Sequence, residues 1–259
     1  MQERHKNRKL YFDEQSYTTS KYVIPYISEF KQIDSQTKVL EIGCGEGGNL
    51  KPFVDMGCQC VGIDLNEQQI RNAKLYFSEH EHKDNVKFIY SDIYDIDPLE
   101  NQYDVIMLRD VIEHIHNQER FMAFVKGFMK PDGVIFFAFP PWFMPFGGHQ
   151  QICVHKVSKV PFIHLLPKSV YKWLLKSCGE NNGTVESLLE IKETGITIER
   201  FERIVKKEKF SILNKTPYFI NPNYEIKFHL RPRKVLPILK SIPYLRDFYT
   251  TAGYYLLKK

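Results

Sequence analysis

From residue 38 onward the chain repeats one pattern: a short apolar run that stops at a polar or glycine residue, then a longer stretch with apolar positions at helical spacing. The runs at 38–42, 59–63, 86–90, 103–108 and 134–139 predict five strands, being short and rich in β-branched and aromatic residues. Residues 49–56, 67–79 and 119–129 predict helices, the last leading through the turn Pro131-Asp132-Gly133 into the fifth strand. Strands alternating with helices at this length imply a parallel sheet covered on both faces. Ahead of the sheet, residues 21–30 carry helical spacing, with Pro25 best suited to a first turn.

After the fifth strand the rhythm breaks. Residues 140–149, Pro-Pro-Trp-Phe-Met-Pro-Phe-Gly-Gly-His, form a proline, glycine and aromatic loop, and the βα alternation stops until Thr197. So long an excursion is more often a functional lid than an idle loop. Within it, 168–177 predicts a helix and 179–183 a turn. Thr197 is placed to cap a helix over 198–208, residues 210–213 and 217–220 read as parts of a sixth strand, and 253–259 as the last. The expected division is a helical lid over 1–36, a core of 37–140 with 197–259, and a cap inserted at 141–196.

The turn after the first strand, Glu41-Ile42-Gly43-Cys44-Gly45-Glu46-Gly47-Gly48, holds the clearest chemistry. In an open parallel sheet, ligands sit at the carboxyl ends of the strands, where glycines let the backbone approach them and the next helix offers free amides. Gly43, Gly45 and Gly48 also satisfy the G-x-G-x-x-G spacing, with Asp64 at the distance of a ribose ligand, so a nicotinamide enzyme and a methyltransferase both fit. Three acids favour the second. Glu41 places a carboxylate inside the first strand, to which an amine-bearing cofactor such as S-adenosylmethionine gives a purpose. Asp64 ends the second strand with an acceptor for two ribose hydroxyls, and Asp92 ends the third, within reach of an adenine amino group.

On these residues the sequence resembles the class I S-adenosylmethionine-dependent methyltransferases, over 37–140 and again from 197. Residues 39–47 are similar to that family's first motif, Gly62-Ile63-Asp64 to its second and Ser91-Asp92-Ile93 to its third. Residues 104–115, Asp-Val-Ile-Met-Leu-Arg-Asp-Val-Ile-Glu-His-Ile, resemble the strand-four segment of the small-molecule branch that includes the ubiquinone O-methyltransferases. The resemblance implies a Rossmann-like, seven-stranded, mostly parallel sheet with an antiparallel C-terminal strand, and it puts Arg109 beside the methionine part of the cofactor. The expected cofactor residues are Glu41, Gly43, Cys44, Gly45, Gly47, Asp64, Leu65, Asp92, Ile93 and Arg109. Tyr17 and Tyr22, ahead of the sheet, are candidate contacts from a second lid.

For the acceptor side, methyl transfer to a hydroxyl gains from a base within hydrogen-bond reach, and histidine suits that role near neutral pH. His149, just past Gly147-Gly148, is the preferred catalytic residue, and His114, in the Glu-His pair that resembles the family's, is the second. His116 reads as surface, and His155 and His164 as lesser candidates in the cap. No carboxylate or cysteine shares a ligand spacing with these histidines, so no metal is expected. The Pro-Pro-aromatic loop resembles an element of amino-methylating enzymes, but that element follows strand four, whereas this loop follows strand five. A nucleic-acid (RNA) methyltransferase therefore stays as the alternative, with an NAD-dependent dehydrogenase or a non-catalytic interaction protein behind it.

Composition sets the remaining bounds. The chain has 259 residues, 43% hydrophobic and 26% charged, enough for one full core. Its five cysteines show no paired metal or redox spacing and read as reduced thiols. The first nine residues lack the apolar stretch of a secretory signal, and no window reaches the roughly 18 apolar residues of a membrane span, so a cytoplasmic location is expected. Charge is uneven: residues 200–259 hold fourteen Lys/Arg against four Asp/Glu, within a net +5 for the whole chain. With the aromatic cap, that basic end points to a small-molecule acceptor that is phosphorylated, nucleotide-linked or lipid-linked, methylated on oxygen, and leaves peripheral membrane contact open.

Overall fold

The apolar runs pair side by side. In the computed structural model, which describes residues 7–98 and 102–259, β1 (Lys38–Ile42), β2 (Gln59–Asp64), β3 (Val86–Tyr90), β4 (Tyr103–Arg109) and β5 (Met129–Phe139) are parallel and lie in the order 3-2-1-4-5. The charged residues read at the start of the chain therefore fall, up to residue 6, outside the described residues. Beyond β5, β8 (Ala252–Lys258) inserts antiparallel between β5 and β6 (Ser211–Ile220), and β7 (Arg233–Lys234) closes the far edge.

The sheet thus has eight strands rather than the expected seven. The addition is β7, two exposed basic residues paired to the edge of β6, too short to leave any alternation in the sequence. The two half-strands read at 210–213 and 217–220 are one continuous β6. A further correction concerns β5. It begins at Met129 rather than 134, and the helix before it, α5 (Gln118–Val125), ends at Val125 and passes through the 3-10 turn Lys126–Phe128. Tyr103 pairs with Met129 but Val105 with Val134, so Pro131, Asp132 and Gly133 form an irregularity inside the strand instead of a turn before it.

Both faces of the sheet are covered, as unbroken apolar strands require. Side chains alternate along β5: Val134, Phe136 and Ala138 pack into one layer with Val23, Ile27, Phe53 and Phe77, while Ile135, Phe137 and Phe139 pack into the other with Phe121, Val125, Phe201 and Ile204. The first layer is built from the N-terminal helix, α3 (Lys51–Asp55) and α4 (Glu67–Phe77). The second holds α5 and α8 (Ile198–Lys207), whose start is capped as expected by Thr197, accepting from Arg200 N at 3.1 Å.

The N-terminal helix starts well before residue 21. It runs as α1 (Arg8–Thr18), widens into a π turn over Thr19–Val23, and resumes as α2 (Ile24–Ser28). Pro25 has no N–H to give the ladder, and the π turn sits directly ahead of it. The cap contains α6 (Lys168–Ser177), as read, and α7 (Asn182–Thr194), which begins inside the predicted turn with Asn181 accepting from Thr184 N at 2.9 Å. Tyr171 and Leu175 of α6 close on Val185, Leu188, Leu189 and Ile191 of α7, a small core separate from the two main layers. No helix among the described residues is long and apolar enough to cross a membrane.

Candidate active site

The glycine turn leaves β1 with Gly43, Gly45 and Gly47 all at positive φ (+72°, +55° and +80°), conformations in which a side chain is strained. Gly48 serves a different need. A Cβ there would come within 2.5 Å of the Phe12 carbonyl oxygen, so its bareness lets α1 lie against the turn. Arg8 of that helix pairs with the buried Glu46, which fastens the helix over the site.

Asp64, at the end of β2, ties the turn to the neighbouring strand. Its Oδ2 accepts from Gly45 N and its Oδ1 from Asn66 N, both at 2.8 Å, and the carboxylate remains half-exposed. Leu65 beside it is 69% exposed, an apolar surface offered to a flat ring. Asp92 is exposed at the end of β3 and accepts from Tyr94 N at 3.0 Å. Of the other expected cofactor residues, Cys44 has its thiol buried under Gly62, and Ile93 has its side chain in the core.

Glu41 and Arg109 meet through a residue the sequence reading left out. Asn49, buried at the start of the segment after the glycines, donates to Glu41 Oε1 at 2.6 Å, and its own oxygen accepts from Arg109 NH1 at 2.5 Å and from Thr19 Oγ1 at 3.0 Å. Arg109 NH1 also donates to Thr19 Oγ1 at 2.9 Å, so the π turn supplies a site residue. Burial pushes the Glu41 carboxyl up to about 8, against the opposing pull of the Asn49 hydrogen bond and of Arg109. Glu41 Oε2 and Arg109 Nε remain buried without partners. One orphaned acceptor and one orphaned donor, of opposite charge, suit a ligand bearing both an ammonium and a carboxylate. With Asp64 for a diol and Leu65 for a ring, the residues fit S-adenosylmethionine. Tyr17 and Tyr22 both donate to Glu225, at 3.0 and 2.6 Å.

On the acceptor side the fold brings His114 and His149 together, their rings 5.1 Å apart and edge to face. It adds Glu113, whose Oε1 lies 4.0 Å from His114 Nε2 and 3.9 Å from His149 Nε2. Glu113 is fully buried with neither oxygen partnered, and burial, with the charge of Asp110, holds its carboxyl well above the usual range. His149 is pushed down to about 3, first by burial and then by His114 and His164, so its imidazole is neutral at physiological pH. One ligand atom from each of Glu113, His114 and His149 lies within 4.8 Å of the others, a geometry able to hold a metal ion. The expectation of no metal constellation rested on finding no carboxylate spaced to join the histidines, and it passed over Glu113, an acid in the apolar run 111–115. His116 instead faces Glu190 at the surface, and His164 is held in the cap by Trp142 O and Gln150. His155 accepts from Val157 N within its own loop.

The chain resembles known proteins over this same region. A family model described as a methyltransferase domain matches residues 14–158. The ubiquinone biosynthesis O-methyltransferase of Rhodopseudomonas palustris (strain BisB5) is 35% identical over 106 residues, 40% of this chain and 40% of that protein. The protein of that name from Rickettsia felis is 30% identical over 113 residues, 44% and 45% of the two chains. The chain thus matches less than half the length of these curated relatives. Among solved structures, a putative sarcosine dimethylglycine methyltransferase from Galdieria sulphuraria superposes with a TM-score of 0.58 at 15% identity, over 92% of this chain and 84% of that one. The plantazolicin methyltransferase BpumL, in complex with a desmethylPZN analog and SAH, also gives 0.58, at 14% identity over 98% and 87%. These superpositions show the fold, and the family match sets aside the dehydrogenase reading that the glycine spacing allowed. Since that match spans more than half the chain and covers the strand ends that carry Glu41, Asp64, Asp92 and Arg109, the chain belongs to the methyltransferase domain family, in the class that uses S-adenosylmethionine.

Proposed function

We propose that the protein transfers a methyl group to an oxygen of a small amphiphilic molecule, an acceptor class in keeping with the O-methyltransferase names of its relatives. The observation that carries this reading is the buried, unpartnered Glu113 beside the neutral His149, in the loops that follow β4 and β5. S-adenosylmethionine supplies an electrophilic methyl on a sulfonium. His149 takes the proton from the acceptor hydroxyl as the new carbon–oxygen bond forms and the methyl–sulfur bond breaks to leave S-adenosylhomocysteine, with Glu113, 3.9 Å from the imidazole, holding its orientation. The aromatic loop residues Trp142, Phe143 and Phe146, half-exposed, favour an acceptor with an apolar part, and the basic C-terminal segment favours one that is lipid-linked.

A second reading is favoured by the spacing of the same three side chains. Glu113, His114 and His149 would hold a divalent cation, which lowers the pKa of a bound hydroxyl and so replaces a base. Release of S-adenosylhomocysteine with a hydroxylated, alkyl-substituted aromatic as acceptor tests both. Loss of turnover in His149→Ala with unchanged cofactor affinity supports the oxygen-transfer site, and normal turnover removes His149 from it. Loss of turnover with chelator, restored by added Mg2+ or Zn2+, selects the cation reading over the base.

A further inference from the structure

The connection between β6 and β8 carries a surface that methyl transfer does not use. It contains α9 (Asn223–Phe228), β7, α10 (Pro237–Lys240) and α11 (Leu245–Phe248). Along it Leu236, Ile238, Ile242, Tyr244, Leu245 and Tyr249 are all exposed, Leu236 to 67% and Ile238 to 77%. Single exposed apolar residues are ordinary, but a run of them in one short stretch marks an interaction surface. Other residues of the segment do the fastening. Val235 is buried, Asp247 is buried and accepts from Ile198 N, and Arg246 pairs with Glu199 at 2.9 Å and Glu202 at 3.1 Å. The apolar side chains are left facing outward.

Beyond Glu225 the segment's own exposed charges have one sign. After Glu225 the sequence holds a single acid, Asp247, which is fully buried. Arg231, Arg233 and Lys234 are exposed and Lys240 is half-exposed, and none has an ion-pair partner among the described residues.

We propose that this segment seats the protein on an anionic lipid surface, with the aliphatic and aromatic side chains in the headgroup layer and Arg231, Arg233, Lys234 and Lys240 against lipid phosphates. A second copy of the chain fits less well, because a two-fold contact would set the same basic cluster against itself. RNA would satisfy the cations but gives Leu236 and Ile238 no base to stack on and nothing else in exchange for their exposure. The surface also runs on to the cap. Phe248 stacks on Phe143 at 5.4 Å with ring planes 4° apart and lies 6.0 Å from Phe162, so the lipid-facing segment touches the loop that leads to His149. An acceptor with an aliphatic tail then has a short path from bilayer to cleft; that step rests on the proposed function, while the lipid contact does not.

The test is flotation of the full chain with vesicles of phosphatidylcholine alone or mixed with phosphatidylglycerol, at low and high salt. Binding to the mixed vesicles is expected, falling as salt rises. Leu236→Asp with Ile238→Asp should abolish it, and Arg233→Glu with Lys234→Glu should weaken it about 30-fold, with S-adenosylhomocysteine affinity and Tm unchanged in both variants. Absence of flotation, or variants that bind as the parent does, overturns the proposal. So does a dimer in sedimentation equilibrium that the two aspartates disperse without any vesicle binding, or an RNA gel shift lost in the charge variant under the same condition. Vesicle binding by a chain inactive on every oxygen acceptor upholds the surface and refutes the proposed function instead.

Discussion

If Glu41 meets the cofactor's amino group, as proposed, cofactor affinity should climb with pH, because burial favours the protonated carboxyl in the empty site. Burial raises Glu41 to about 8, so at pH 6 on the order of 1% of molecules carry the charge an ammonium needs. Binding at that pH must first remove a proton. Raising the pH to 8 ionises about half of the sites, while the cofactor's own amine begins to lose its proton near the same pH, and the two effects leave a net gain of about 20-fold in affinity. Titration calorimetry with S-adenosylhomocysteine at pH 6, 7 and 8, in two buffers of different ionisation heat, reads both the affinity and the proton released, close to one per site at pH 6. Glu41→Gln should bind weakly and lose most of the rise. Stability of the empty protein moves the other way: between the ordinary value of 4.5 and about 8 the native chain keeps a proton that the unfolded chain gives up, so the apo form weakens as pH rises through that window. A flat affinity across this range with no proton exchange would refute the assignment of Glu41 to the amine.

Two further outcomes test the cofactor half. Asp64→Ala removes the acceptor for Gly45 N and Asn66 N together with the proposed diol ligand, and should weaken S-adenosylmethionine binding by more than about tenfold, or 1.4 kcal/mol; calorimetry showing parent affinity would remove Asp64 from the site. Gly48→Ala puts a Cβ 2.5 Å from Phe12 O and 2.8 Å from Gln15 Oε1, which should push α1 off the turn at a cost on the order of 2 kcal/mol. A thermal melt matching the parent, with α1 no more open to protease, would show that the helix is not held by that approach.

Local signals carried most of the fold, and the failures have local causes too. The β1 to β5 frame was legible because buried parallel strands are continuous apolar runs with glycine or acid at their ends, and Thr197 was legible because a cap needs only its own hydroxyl and the next turn. β7 escaped because two exposed residues are too few to leave an alternation. α7 escaped behind Gly179 and Gly183, although Val185, Leu188 and Leu189 hold helical spacing and Asn181 is a good cap. The start of the N-terminal helix escaped because α1 is polar on most of its length and buries only Phe12, Glu14 and Thr18.

The site divides along the same line. Glu41, Asp64 and Asp92 lie at or just past the carboxyl ends of three adjacent strands, where sequence position fixes spatial position. Thr19, Asn49 and Glu113 do not: each becomes a site residue only through packing between elements far apart in the chain. Thr19 reaches Arg109 because a π turn shifts the helix, and Asn49 links Glu41 to Arg109 because the short helix after the glycines is buried on the sheet. Such contacts leave no periodicity, and what identifies them is the accounting of buried polar atoms. Asn49 satisfies one oxygen of Glu41 and Arg109 keeps one free N–H, so the cleft is left short of one cation and one anion. At Glu113 the shortfall is a whole carboxylate. A buried acid with neither oxygen satisfied is costly in an empty protein, and it is better explained by what enters the cleft, an acceptor hydroxyl with its proton or a cation, than by the fold that surrounds it.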